Sequence, residues 1–264
     1  MGKNIEWCRT IYWPILWMAL GEELPKAIFG HPWLLSGEDK MSKSRGNVIY
    51  ADDLAKMIGV DGVRYYLLAE MPYAQDGTIT YERIFDRYNS DLANTLGNLV
   101  NRSIAMTHKY FDGLLPEEMQ NAEIDGELVE AARTAKEEVV AKLSAFHCAD
   151  AVEAVMVLAR RANKYIDETT PWILAKNEAA KPRLAAVLYN LLETIRTLGV
   201  LLAPFLPATS EEIFRQINCP QDCRSLESIT TFGKLPKVEV EEPKPLFARL
   251  DVEKLMADLE GAAA

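Results

Sequence analysis

From Thr80 onward the apolar residues of this chain fall at helical spacing, stretch after stretch, and that periodicity constrains the fold more than any other feature. Ile84, Tyr88, Leu92, Leu96, Leu99 and Met106 recur at intervals of three, four or seven, predicting one long helix that stops at Gly113. A second helical pattern runs through ELVEAARTAKEEVVAKLSAF and a third through ADAVEAVMVLARRANKYIDE. Thr170 is placed to cap a short helix that opens with Pro171 and Trp172. A fourth long pattern, AAVLYNLLETIRTLGVLLAPF, breaks at Pro204 and Pro207, and Ser210 then starts the amphipathic EEIFRQI. Four long helices with shorter ones between them read as a bundle. The fourth is the most apolar, but Glu193 and Arg196 interrupt it and prolines end it, which fits a buried helix and not a membrane span.

The residues before Thr80 are organised differently. Residues 5–20 are strongly apolar and aromatic, with Pro14 expected to kink any helix there, and KAIFGHPWLL reads as a strand leading into the loop GEDKMSKSRGN at 37–47. Asp52 or Asp53 can cap a helix DLAKMI that stops at Gly59, and Asp61 can cap a second, GVRYYLLAEM. The expected fold is therefore mainly α: a small α/β region over 1–79, a helical bundle over 80–235, and a connector ending in a short helix over 236–264.

Charge and cysteines narrow the function classes. Twenty-nine Lys and Arg against 39 Asp and Glu give a formal charge of −10, which excludes a protein that coats nucleic acid indiscriminately and requires any nucleic-acid partner to be recognised at a local site. Cys8, Cys148, Cys219 and Cys223 have neither zinc-ribbon spacing nor the density of a disulfide scaffold, so a reducing, cytoplasmic setting is expected. Zinc is not expected, because no nearby histidine completes a ligand set for Cys219 and Cys223. The first residues show no signal-peptide pattern, and no membrane partner is expected.

The loop at 37–47 alternates cations with hydroxyls and carries a glycine at 46, the composition of a segment that folds over phosphates, although most charge runs are simply solvated. Lys40, Met41, Ser42, Lys43 and Ser44 spell the KMSKS signature of class I aminoacyl-tRNA synthetases. GKNI and IYWP before it, SRGNVI after it, RYYLL at 64–68, RYNSDLANTLGNLVNR at 87–102 and NKYIDETTPWILAK at 163–176 resemble methionyl-tRNA synthetases in particular. Such enzymes ligate methionine to tRNA(Met) through an aminoacyl-adenylate, with ATP and Mg²⁺.

The resemblance implies that Lys43, assisted by Lys40, stabilises charge building on the leaving phosphates, with Ser42 and Ser44 offering hydroxyl hydrogen bonds. It also implies that Asn98, Arg102 and Trp172 read the CAU anticodon. Asn98 and Arg102 lie four apart on one helical face, and with the tryptophan they offer hydrogen bonds, a guanidinium and a stacking plane for unpaired bases. Without the resemblance, a solvated Asn and Arg and a core Trp explain the same residues. Asn163, Lys164 and Tyr165 could line that surface, or merely solvate a helix end. His31, His108 and His147 lack companions for a metal or a triad.

The chain also departs from the family pattern. No HxGH occurs in it, so the chain by itself is expected to bind the anticodon arm without catalysing. Ile5 matches the family's amino-acid pocket, but Arg9 stands where a histidine is expected to border the methionine side chain. Two alternatives remain open at this stage: another KMSKS synthetase, for leucine, valine or isoleucine, and a non-catalytic tRNA-binding or helical interaction module.

Overall fold

The computed structural model describes residues 7–30, 32–37, 39–41, 48–70, 76–236 and 239–263. A π-helical turn at Cys8–Tyr12 runs into α1 (Trp13–Leu20), which ends on Gly21 in the left-handed region. Pro14, expected to kink a helix here, falls in the first turn of α1, directly after the π-helical turn whose wider winding precedes the residue that lacks an N–H. The apolar side chains here are uncovered: Trp7 is 71% and Leu20 75% exposed, and Ile11, Tyr12, Ile15, Leu16 and Met18 are exposed with them.

The expected strand shrinks to β1 (Leu34–Ser36), because Gly30 and Pro32 precede it. β1 pairs antiparallel with β2 (Asp39–Lys40) across a turn at Gly37, and parallel with β3 (Gly77–Ile79). Between them runs α2 (Ala51–Ala69), broken at Gly59, whose φ of 74° and ψ of 161° divide it into the two helices the sequence predicts. Their caps differ from expectation. No side chain caps α2 at Tyr50, and Asp52 and Asp53 sit in its first turn, where their charge favours the helix dipole.

Asp61 does cap a helix, but a distant one. Its carboxylate accepts from the N–H (2.6 Å) and hydroxyl (2.7 Å) of Thr209, in the first turn of α9 (Pro207–Gln216). One turn further along α2, Arg64 donates to the carbonyls of Phe205 and Pro204 at 2.7 and 2.9 Å. These two side chains clamp the corner where α8 (Lys181–Leu202) gives way to α9. Ser210, expected to start α9, lies one turn inside it and donates to the Gly199 carbonyl of α8 at 2.7 Å.

The long helix expected after Thr80 is present from 81 to 111, in three parts. α3 (Tyr81–Arg87), capped by the Thr80 hydroxyl, passes into a π-helical segment Tyr88–Gly97 and then α4 (Asn98–Phe111). α5 (Asp125–Ser144) and α6 (Cys148–Thr169) follow, then the single turn α7 (Pro171–Leu174). α8 is the centre of the core: from Leu184 to Leu202 every residue except Tyr189 is buried. Apolar residues of α2, α3, α4, α5, α6, α8 and α9 join in one continuous cluster, which ties the small α/β region to the bundle.

The polar interruptions of α8 are satisfied internally. Glu193, wholly buried, accepts from Arg196 at 2.6 and 2.9 Å and from the backbone N–H groups of Gly233, Lys234 and Leu235. Arg196 turns its remaining N–H groups to the Cys223 carbonyl and Ser228. Among the described residues one stretch, Glu178–Leu202, is long and apolar enough to cross a membrane, and 94% of its apolar window is buried within the protein. The connector then runs back along the bundle to α10 (Val252–Ala263), which packs on α3.

Candidate nucleic-acid interface

α4 begins at Asn98, whose side chain is exposed, and Arg102 follows one turn later on the same face, half-buried. The Arg102 guanidinium lies 3.8 Å from the Asp167 carboxylate in the last turn of α6. With 35% and 69% of the two side chains exposed, the pair is wet and contributes little to stability, so Arg102 remains available to another anion or base.

α6 ends three residues beyond Asp167, at Thr170. Its left-handed φ of 43° and ψ of 60° turn the chain sharply into α7. Thr170 occupies the expected cap position, but its hydroxyl caps nothing. The start of α7 is fixed by buried Pro171, while Trp172 next to it is 40% exposed. A tryptophan held half in solvent on a short, anchored helix offers a ring face to a partner. The structure thus places Arg102 against the end of α6, Asn98 one turn before it, and exposed Trp172 just past that end.

The neighbouring candidates divide. Tyr165 lies in the core: its hydroxyl donates to Asp125 at 2.6 Å, and burial, with Asp125 beside it, pushes its pKa up to about 12. Asn163 turns inward too, donating to the carbonyls of Thr95 and Ala159 at 3.0 and 3.1 Å. Lys164 is exposed and pairs with Glu168 at 3.4 Å. A lone polar tip on a helix gave the sequence no means of telling a surface tyrosine from a buried one whose partner is forty residues away.

Of the cationic loop, Lys40 lies in β2 and Met41 is half-buried against the core, whereas Ser42, Lys43 and Ser44 fall outside the described residues, as do Ile5 and His31. Arg9 is exposed in the π-helical turn before α1. His108 hydrogen-bonds the Glu241 carbonyl at 2.8 Å and His147 the Asp150 carboxylate at 3.0 Å. No group of three His, Cys, Asp or Glu side chains among the described residues could hold a metal ion.

Known proteins match both regions. The family described as tRNA synthetases class I (M) matches residues 1–104, and the anticodon-binding domain of tRNA ligase matches 125–259. The methionine–tRNA ligase of Caldanaerobacter subterraneus subsp. tengcongensis is 45% identical over 98% of this chain and 41% of its own length. That of Clostridium perfringens is 48% identical over 98% of this chain and 40% of its own length. This chain therefore spans about two fifths of the curated relatives it matches. The crystal structure of Mycobacterium tuberculosis methionyl-tRNA synthetase bound by methionyl-adenylate superposes with a TM-score of 0.87 at 35% identity, covering 94% of this chain and 49% of that one.

Proposed function

Because the chain belongs to the methionyl-tRNA synthetase family, carrying the part with the anticodon-binding domain, we propose that it reads the CAU anticodon of tRNA(Met) with Asn98, Arg102 and Trp172 and contributes the KMSKS loop to methionine ligation. The observation that carries this reading is the exposure of Asn98 and Trp172 on either side of the half-buried, loosely paired Arg102, around the meeting of α4 with the end of α6 and next to the strained turn at Thr170. Each supplies something different: Asn98 both donates and accepts at base edges, Arg102 donates from a planar fork, and Trp172 stacks. We read the organisation as three parts: residues 1–79 with the loop and stem-contact region, 80–235 with the bundle, and 236–264 as the connector.

In that assignment Lys40 and Lys43 would hold the phosphates of ATP, and a nucleotide-bound Mg²⁺ would neutralise part of their charge. A loop of lysines and hydroxyls fits that group, since ammonium and hydroxyl donors both suit phosphate oxygens. Trp7, Ile15, Leu16 and Leu20 present an apolar surface suited to burial against the remainder of a class I catalytic domain. On this reading the chain, in which no HxGH occurs, is an anticodon-binding module that does not catalyse by itself. The rival reading is a helical interaction module that keeps the family's sequence without its RNA function.

A fluorescence-anisotropy titration against anticodon stem-loops carrying CAU or a permuted anticodon, at one fixed salt concentration, separates the two. The expected result is a preference for CAU that Trp172→Ala reduces about tenfold or more, the size of one lost base stack. Equal, weak binding to both loops would favour the interaction module.

A further inference from the structure

We propose that Asn89 is a positioning residue for the reading face: by fastening the connector to the π-helical segment Tyr88–Gly97, it fixes the rotational setting of Asn98 and Arg102. The proposal rests on the reading of that face given above.

A π-helical run of ten residues is unusual, since such turns mostly occur singly inside α-helices. Each one takes in one residue more than an α-helical turn. If a residue of 88–97 shifts into α-helical register, everything after it rotates relative to α3 by about 100°, the angle one residue subtends in an α-helix. Asn98 and Arg102 lie in the first five residues past the segment, so their aim depends on its wide turns being held.

Several contacts hold them. The Asn89 side chain makes a two-way amide pair with the backbone of Leu250, donating from Nδ2 to the carbonyl at 3.0 Å and accepting the N–H on Oδ1 at 2.8 Å. Phe247 of the same connector meets the Tyr88 ring edge-on, with centroids 5.7 Å apart. Inside the segment the Thr95 hydroxyl donates to the Ser90 carbonyl, five residues back, at 2.8 Å. Gly97 allows the closing turn: a Cβ there would stand 3.0 Å from the Leu92 carbonyl oxygen and 3.8 Å from the Phe247 ring.

The connector that supplies these contacts is itself anchored. Glu241 donates its N–H to the Gln216 carbonyl, and the Gln216 side chain donates to the Lys244 carbonyl, at 2.8 and 2.9 Å. Asn89 is therefore a hydrogen-bonded link between the anchored strap and the wide-turned segment, acting beside the burial of Leu92 and Leu96 in the core. Only a side chain with a donor and an acceptor side by side can pair both backbone groups of Leu250.

The test uses the full chain with Asn89→Ala, and with Asn89→Asp, which retains the acceptor for the Leu250 N–H but not the donor. The readout is the ratio of affinities for CAU and permuted stem-loops. Loss of folded protein lowers both affinities equally and leaves that ratio unchanged, whereas a rotated face changes it. Asn89→Ala is expected to reduce the CAU preference about tenfold, with Asn89→Asp between it and the parent chain. Parent-like ratios in both variants would overturn the proposal. Amide hydrogen exchange over 88–102 gives a second reading: protection should fall there in Asn89→Ala, and unchanged protection would likewise overturn it. A parent chain without any CAU preference would instead refute the assignment of the reading face, and exchange alone would then decide whether Asn89 holds the segment.

Discussion

Thr170 holds a backbone conformation that a β-branched residue rarely adopts, and nothing but the tight turn from α6 into α7 requires it. Strain of this kind costs on the order of 1–3 kcal/mol and persists where surrounding structure imposes it. Here Pro171 is buried on one side and the Ile166 carbonyl accepts the Thr170 N–H on the other. Thr170→Gly should relieve the strain but add freedom to the unfolded chain, so urea unfolding is expected to show a stability change of no more than about 1 kcal/mol. The CAU preference should fall nonetheless, because the hinge before Trp172 loosens; an undiminished preference would mean that Pro171 alone aims the ring. Trp172 and Pro171 were legible in the sequence because proline at the first helical position is a local signal. Tyr165 was not, since its fate is decided by Asp125 on another helix.

Three helices meet at Asp125. Its carboxylate, at the start of α5, accepts from Nη2 and Nη1 of Arg183 at 2.6 and 2.7 Å, from Tyr165 of α6 at 2.6 Å and from the Ala122 N–H at 2.9 Å. Burial by itself would raise the Asp125 pKa. The hydrogen bonds from Arg183, Tyr165 and Ala122 outweigh it and hold the group below its ordinary 3.8. A carboxylate whose folded pKa is depressed stabilises the fold fully above the unfolded value, and that contribution is lost as pH falls below about 3.8. Asp125→Asn should therefore destabilise the chain by about 3 kcal/mol at neutral pH, by leaving Arg183 without its counter-charge, and should flatten the acid limb of a stability-against-pH curve. Urea denaturation across that range checks both. At this scale the sequence showed its long helices plainly, while the wide turns at 88–97 stayed hidden. Tyr88, Leu92 and Leu96 keep a four-residue spacing that an ordinary helix also satisfies. Asp61 misled for a related reason: a carboxylate before a helical run looks like a local cap, but its partner, Thr209, lies 148 residues away.

As a whole, the molecule joins its two family-matched regions through one core, and among the described residues its densest run of exposed apolar side chains lies on and around α1. If that surface belongs against the rest of a class I catalytic domain, the isolated chain should show no ATP–pyrophosphate exchange. Adding the complementary part of a relative's catalytic domain should raise the chain's melting temperature through burial of Trp7, Ile15 and Leu16. Measurable exchange by the chain alone would overturn the reading. The clamp made by Asp61 and Arg64 on the corner between α8 and α9 has a consequence of another kind. It braces that contact between the α/β region and the bundle with four hydrogen bonds, which stiffens the span from one to the other. On the reading proposed above, an RNA held by the bundle would meet the α/β region at a local concentration set by that braced span, where a flexible tether would dilute the second encounter over every direction it can reach.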